Sequence, residues 1–495
     1  MSDGTRPRFS MLTRERIEQI IGEAMQTLAE VGVSVENDDA IELLSASGAR
    51  VSPDGKRAFI PERLARECIA SVPGSFTLYD REGEKVCDVG GDTTSFDPGS
   101  AAISIYDFNT RTIRKPTTAD VVDFVLLTDR LSQFDMQSTG VIPADVPESL
   151  ADRYRLFLAL VYGRKPVITG TFVKDAFPTM LGFLSTVRGG AAALAQKPLA
   201  IFDCCPSPPL SWSDLTCQAL IDCARSGIPA EVVSMPLTGA TAPVTLAGSL
   251  VQHTAENLSG IVIHQLAGRG APIVYGGAPS LFDMRRGTTP LGAIETVMIA
   301  ASYAEIGSHL GLPVHGYMGL SDAKSPDFQA GLETAMGMTL AALAGVNVVS
   351  GSGMLNFVGT QSMEKLVLDN EICAMVRRLV DGVRFREETA GIDVLRELTA
   401  SKGFLTSQHT RRFFKQEAYY PSDVIDRYTE GDWEQSGSPD AAARAHKVVT
   451  RLLGDAPASL LARETAAELE SIMIADAASH GVGAASLPNW RVRYP

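Results

Sequence analysis

Gly163-Arg164-Lys165-Pro166-Val167, Gln196-Lys197-Pro198-Leu199, Gly227-Ile228-Pro229, Gly270-Ala271-Pro272 and Gly311-Leu312-Pro313 share one grammar: a glycine or polar turn, then proline, then an apolar run. Such a turn ends a helix and opens the next strand, because glycine tolerates the helix terminus and proline cannot continue the helix. The prolines are therefore structural. Apolar, β-prone runs start near Met136, Val167, Leu199, Ala230, Pro272, Pro313 and Val346, each ahead of a helix-forming segment, at spacings of about 31 to 42 residues. Strands alternating with helices at that pitch are parallel βαβ units. Seven units plus one unlocated strand predict an eightfold α/β barrel of the TIM type.

Working outward, residues 1–130 read as an N-terminal elaboration, 131–383 as the barrel core and 384–495 as a mixed, mostly helical extension. Ile17, Ile20, Ile21, Met25 and Leu28 recur at helical spacing behind Thr13, a candidate N-cap. Short helices are expected at 40–46 and from Pro61 to about 70, strands at 76–79 and 102–106, and a helix at 362–383. With 495 residues, 45% hydrophobic and 21% charged, the chain can build a large core. A net charge of −14, from 44 basic and 58 acidic residues, argues against an extended nucleic-acid surface. Seven cysteines, no apolar leader and no run near the roughly 18 apolar residues of a membrane span predict a cytoplasmic chain with free thiols.

Barrel chemistry belongs to the loops that follow the strands. Those loops begin near Asp203-Cys204-Cys205-Pro206, Ser234-Met235-Pro236, Tyr275-Gly276-Gly277, His315-Gly316-Tyr317 and Ser350-Gly351-Ser352-Gly353. The richest runs from His315 to Gln329 and gathers an imidazole, a phenol, two carboxylates, an ammonium and an amide. An ordinary polar loop with Ser321 or Asp327 as a helix cap accounts for the same residues. The glycine pairs fit tight turns, since no phosphate-loop or dinucleotide fingerprint occurs. None of the seven histidines forms H-x-H or H-E-x-x-H, there is no C-x-x-C, and no metal is expected. There is no G-x-S-x-G elbow either, so hydrolase chemistry is not indicated.

Four stretches carry a family likeness: residues 37–51 (NDDAIELLSASGARV), 78–81 (LYDR), 286–295 (RGTTPLGAIE) and 319–333 (GLSDAKSPDFQAGLE). From about residue 10 to 480 the chain resembles the trimethylamine methyltransferase superfamily, and specifically its pyrrolysine-free, glycine betaine methyltransferase-like members. The resemblance implies an α/β barrel that presents a bound methylamine to the Co(I) of a separate corrinoid protein, binds no cofactor tightly itself and self-associates. Pyrrolysine is proposed to form an adduct with the amine in the archetypal members, and this sequence has only the standard residues. A quaternary ammonium has no lone pair for such an adduct and already carries the charge that makes a neutral amine leave. A quaternary amine, glycine betaine or a related betaine, is thus the implied methyl donor.

Transfer of that kind needs positioning and charge handling more than a general base. Rings worth about 0.5–2 kcal/mol each against a desolvated cation are expected from Tyr275, Tyr317 and Phe357, with charge from Asp322 and Asp327. A substrate carboxylate would be met by His315, Arg285, Lys324 or Gln329. Because too many anions would hold the ground state too tightly, an aromatic pocket is expected over an acidic one. Two other readings keep the barrel: a quaternary-amine binding or sensing protein without methyl transfer, and a lyase or aldolase with Lys324 as Schiff-base amine.

Overall fold

The proline-led runs become the parallel strands of a barrel in the computed structural model, which describes residues 6–386, 391–399, 403–455 and 461–491. In chain order the strands are β1 (Ser95–Pro98), β2 (Gln137–Ser138), β3 (Val167–Thr169), β4 (Ala200–Cys204), β5 (Ala230–Val232), β6 (Ile273–Gly277), β7 (Val314–Tyr317) and β8 (Val348–Ser352). Each pairs in parallel with the next from β2 to β8, and β8 returns to β1 with Val348 opposite Ser95 and Val349 opposite Phe96. The seam between β1 and β2 is held by Asp135 N–H donating to the Phe96 carbonyl at 2.9 Å and Ser138 Oγ donating to the Gly99 carbonyl at 2.8 Å. The sheet therefore closes on itself.

Helices α1 (Thr118–Arg130), α2 (Ala151–Tyr162), α3 (Ala176–Arg188), α4 (Asp214–Ser226), α5 (Leu246–Ala267), α6 (Ile294–His309), α7 (Phe328–Ala344) and α8 (Met363–Val380) follow the strands in turn. The strand unlocated in sequence is β1, upstream of residue 131. Its run, Ser95-Phe96-Asp97-Pro98, carries an acid in its middle and does not read as an apolar strand.

The barrel has a floor. Met136, Ile168, Ile201, Val274 and Val348 converge at its N-terminal end, and Leu78 and Val89 from the antiparallel hairpin Ser75–Tyr79/Lys85–Gly90 pack beneath them. Ahead of the hairpin, helix Arg14–Glu30 is capped by Thr13, whose hydroxyl accepts from Arg16 N–H, and helices Asp38–Ala46 and Glu62–Ile69 follow. The C-terminal helix Arg463–Ser479 covers α2, where Phe157 meets Trp490 edge-on at 5.2 Å and Arg153 pairs with Asp476. All twelve residues of α2 are consequently buried. Among the described residues no helix is long and apolar enough to cross a membrane.

Candidate active site

Side chains alternate across a strand, so two residues beyond each floor position the chain faces the barrel interior again. From Ile201 that step reaches Asp203, from Val274 Gly276 and from Val348 Ser350. Asp97, Glu231 and His315 join them. Ser350 Oγ donates to Asp97 Oδ1 at 2.6 Å and lies 3.0 Å from His315 Nε2, which is 3.5 Å from Glu231 Oε1. His315 Nδ1 meets no described partner. Burial drives the imidazole pKa down to about 3, so it is neutral.

The next layer begins with Tyr317, two residues past His315 and edge-on to it at 5.1 Å. Its hydroxyl lies 3.0 Å from Ser100 Oγ, which reaches Asp203 Oδ2 at 3.5 Å. Asp203, Tyr317, Ser100 and Cys205 keep partial exposure while the groups beneath them are sealed. The partly open layer faces the C-terminal mouth, where a barrel binds its ligands.

Three carboxyls in one closed interior cannot all ionise cheaply. Burial, then the neighbouring Asp203, push Glu231 well above the usual range. Burial, with smaller contributions from Asp203 and Asp135, holds Asp97 well above the usual range, and burial raises Asp203 to about 6. Asp203 and Glu231 face each other, and only a proton between them gives that contact a donor. Asp97 Oδ2, Asp203 Oδ1, both Glu231 oxygens, His315 Nδ1 and Ser352 Oγ otherwise have no hydrogen-bond partner among the described residues. Buried native polar groups are rarely left so, which makes this cluster the candidate ligand site.

Of the residues singled out in the sequence, only His315 and Tyr317 enter this interior. Tyr275 follows the inward Val274 and so points outward, where its hydroxyl lies 3.0 Å from Thr254 Oγ1 and its ring packs near Tyr303. Asp322 accepts from Leu291 and Gly292 N–H at 3.1 and 2.9 Å and stitches two mouth loops together; burial lifts its carboxyl to about 6. Lys324 is exposed, with Nζ on the Asp322 carbonyl at 2.6 Å and 3.9 Å from the centre of the Phe357 ring. Asp327 caps α7 by accepting from Ala330 N–H, and Gln329, exposed on that helix, donates to Glu333. Arg285 pairs with Asp283 on the surface. Asp203, read in the sequence only as the start of a mouth loop, is joined by Asp97, Ser100, Arg155 and Glu231, which the sequence does not single out. For Asp97, Asp203 and Glu231 the signal is an ionisable group at an inward position of an otherwise apolar strand, as in Ala230-Glu231-Val232.

The expected aromatic pocket is thus replaced by one richer in carboxyls. Protonation reconciles the two, because a shared proton and raised pKa values leave less negative charge than three acids suggest. Gly276 has a packing role here: a Cβ on it would stand 2.7 Å from the His315 carbonyl oxygen and 2.9 Å from His315 Cβ. Among the described residues no group of three His, Cys, Asp or Glu is arranged to hold a metal.

Residues 2–481 match the sequence profile of the trimethylamine methyltransferase family. The chain belongs to that family. It is 31% identical to the trimethylamine methyltransferase of Desulfitobacterium hafniense, covering 94% of both chains, and 34% identical to that of Methanosarcina thermophila, covering 90% of this chain and 93% of the relative. The glycine betaine methyltransferase of Desulfitobacterium hafniense is 29% identical, over 94% of this chain and 97% of its own length. Among solved structures, the monomethylamine methyltransferase of Methanosarcina barkeri superposes with a TM-score of 0.50 at 11% identity, over 90% of this chain and 89% of that one, a likeness of fold. Membership makes the chain a methyltransferase, and the α/β barrel expected from the strand rhythm is the fold observed.

Proposed function

We propose that this family member moves a methyl group from a quaternary amine, glycine betaine or a related betaine, to the Co(I) of a separate corrinoid protein. One observation carries the reading: a closed interior lined by Asp97, Asp203 and Glu231, with orphaned oxygens and Tyr317 above them. That arrangement presents negative potential to a ligand, which suits a cationic methyl donor. A quaternary nitrogen needs no adduct with the protein, and its loss of a methyl group leaves a neutral amine.

Charge decides how the residues contribute. The donor's positive charge disappears as the methyl group leaves, so full carboxylates would favour the bound substrate over the transition state. With Asp97 and Glu231 pushed toward the protonated form by burial, Asp203 is the carboxylate that faces the ammonium, and one negative charge in place of three limits that penalty. Neutral His315 orients Glu231 and Ser350, and the acids and Tyr317 position the methyl donor beneath the mouth, where the acceptor approaches.

Incubating the protein with a Co(I) corrinoid protein and a panel of betaines, carnitine and trimethylamine, while following methyl-Co(III) by absorbance, tests this. Methylation with a quaternary amine is expected. Silence across the panel, with an acceptor shown to be competent, would leave the binding or sensing reading in its place.

A further inference from the structure

We infer that Arg155 reads the carboxylate of a zwitterionic substrate, so that this cavity selects betaines over quaternary amines that lack an acid group. The inference rests on the quaternary-amine reading of the same cavity.

Helix α2 buries two arginines two residues apart, and their surroundings differ. Arg153, with no exposed side chain, is neutralised by Asp175 at 2.8 Å and Asp476 at 2.9 Å, with Asp152 at 3.7 Å. Arg155 is 1% exposed and forms no ion pair with any described residue. Its Nε donates to the Ala151 carbonyl at 3.3 Å and its Nη1 to the Thr139 carbonyl at 2.5 Å, while Nη2 donates to no described group. Burial lowers its pKa to about 10, which still leaves a full positive charge at neutral pH. Its charge is balanced only at a distance, by Asp152 first and then Asp203, and Nη2 is left without an acceptor, so a ligand carboxylate can supply the direct partner.

The location agrees. Thr139 follows β2 at its C-terminal end, Phe172 follows β3, and the Phe172 ring centre lies 4.4 Å from the Arg155 guanidinium carbon. The cation interacts at longer range with Asp152 first and then with Asp203 and Tyr317, the last two in the open layer of the interior. A guanidinium packed against a ring with one edge committed and one nitrogen free can take a carboxylate with defined geometry. The site therefore has a donor-poor acidic interior for the ammonium and a buried cation at mouth level for the acid. The other candidates for that role fall away: His315 is neutral, and Arg285, Lys324 and Gln329 are exposed and engaged with their own loops.

Calorimetric titration without any corrinoid protein isolates binding from transfer. Trimethylglycine and choline carry the same trimethylammonium, and only the first carries a carboxylate. The wild-type chain is expected to bind trimethylglycine tighter by on the order of 10- to 100-fold, the usual yield of charge-assisted hydrogen bonds. Arg155→Met should bring trimethylglycine down to the level of choline, and Arg155→Lys should restore part of the difference, with a thermal melt reporting whether each variant folds. Equal binding of the two ligands by wild type overturns the inference, whatever the variants do, and leaves the quaternary-amine reading standing. Binding of neither ligand, with no transfer from either, removes that reading and the inference with it.

Discussion

Asp203 stands between a sealed neighbour, Glu231, and the open mouth, and burial raises its carboxyl to about 6. An unfolded aspartate titrates near 3.9, so between those values the folded chain holds the proton more tightly. This group's contribution to stability is therefore full below roughly 3.9 and declines as the pH rises to about 6. Ligand binding runs the other way, because a cation gains most when the proton is gone. Affinity for a quaternary amine is expected to climb as pH rises through about 6, measured by calorimetry across pH 5–8; a flat profile would show that Asp203 does not face the ammonium. Asp203→Asn, which removes the buried charge, should stabilise the fold by about 1–3 kcal/mol at pH 7.5 in thermal melts and weaken amine binding at least tenfold. A variant that lost both stability and binding would make the acid a structural residue.

Between elements, the glycines and loop acids do the joining. Gly276 lets β6 lie against His315 on β7, and Gly276→Ala should cost about 1–3 kcal/mol, read as a lowered melting temperature, because the new Cβ would press on backbone rather than on a movable side chain. Asp322→Ala leaves the Leu291 and Gly292 N–H groups unmet and should destabilise by a similar amount while changing substrate affinity little, since its carboxylate holds mouth loops outside the cavity. A large loss of affinity there would return Asp322 to the binding site. The same elements show what sequence can disclose. Five strands are legible because a proline turn marks where each follows a helix, β2 and β8 by their apolar runs at the same spacing, and β1 is not, because Asp97 interrupts its apolar run and an antiparallel hairpin, not a helix, precedes it. The loop at 315–329 drew the eye by chemical variety, yet most of that variety caps α7 and fastens neighbouring loops. Asp203 reads only as the start of a mouth loop and Glu231 as part of a strand, because one acid inside an apolar strand looks minor until closure brings strands β4, β5, β7 and β1 face to face. Arg155 lay further out of reach, since a helix buried on every side by the C-terminal extension has no amphipathic stripe to say which side chains face the barrel.

At the scale of the whole molecule the closed floor sets the order of events. Leu78 and Val89 close the N-terminal end, so among the described residues the interior opens toward the C-terminal mouth. If the chain acts as proposed, donor and acceptor share that opening, and an acceptor protein seated over it shuts the amine out. The amine must then bind first and its demethylated product must leave last. Initial-rate plots should give intersecting lines, unlike the parallel lines of a covalent methyl-enzyme, and excess acceptor protein should inhibit competitively against the amine. Parallel lines would require a methylated intermediate on the chain itself, for which Cys205, whose thiol is held well above its ordinary range by burial, is a poor nucleophile. The floor is also testable apart from the kinetics. Leu78→Ala should cost about 2–5 kcal/mol by opening a void against Ile168, Ile201 and Val348, measurable in denaturant titrations, and the order of binding should persist in the folded fraction, because a void the size of a few methyl groups admits neither substrate.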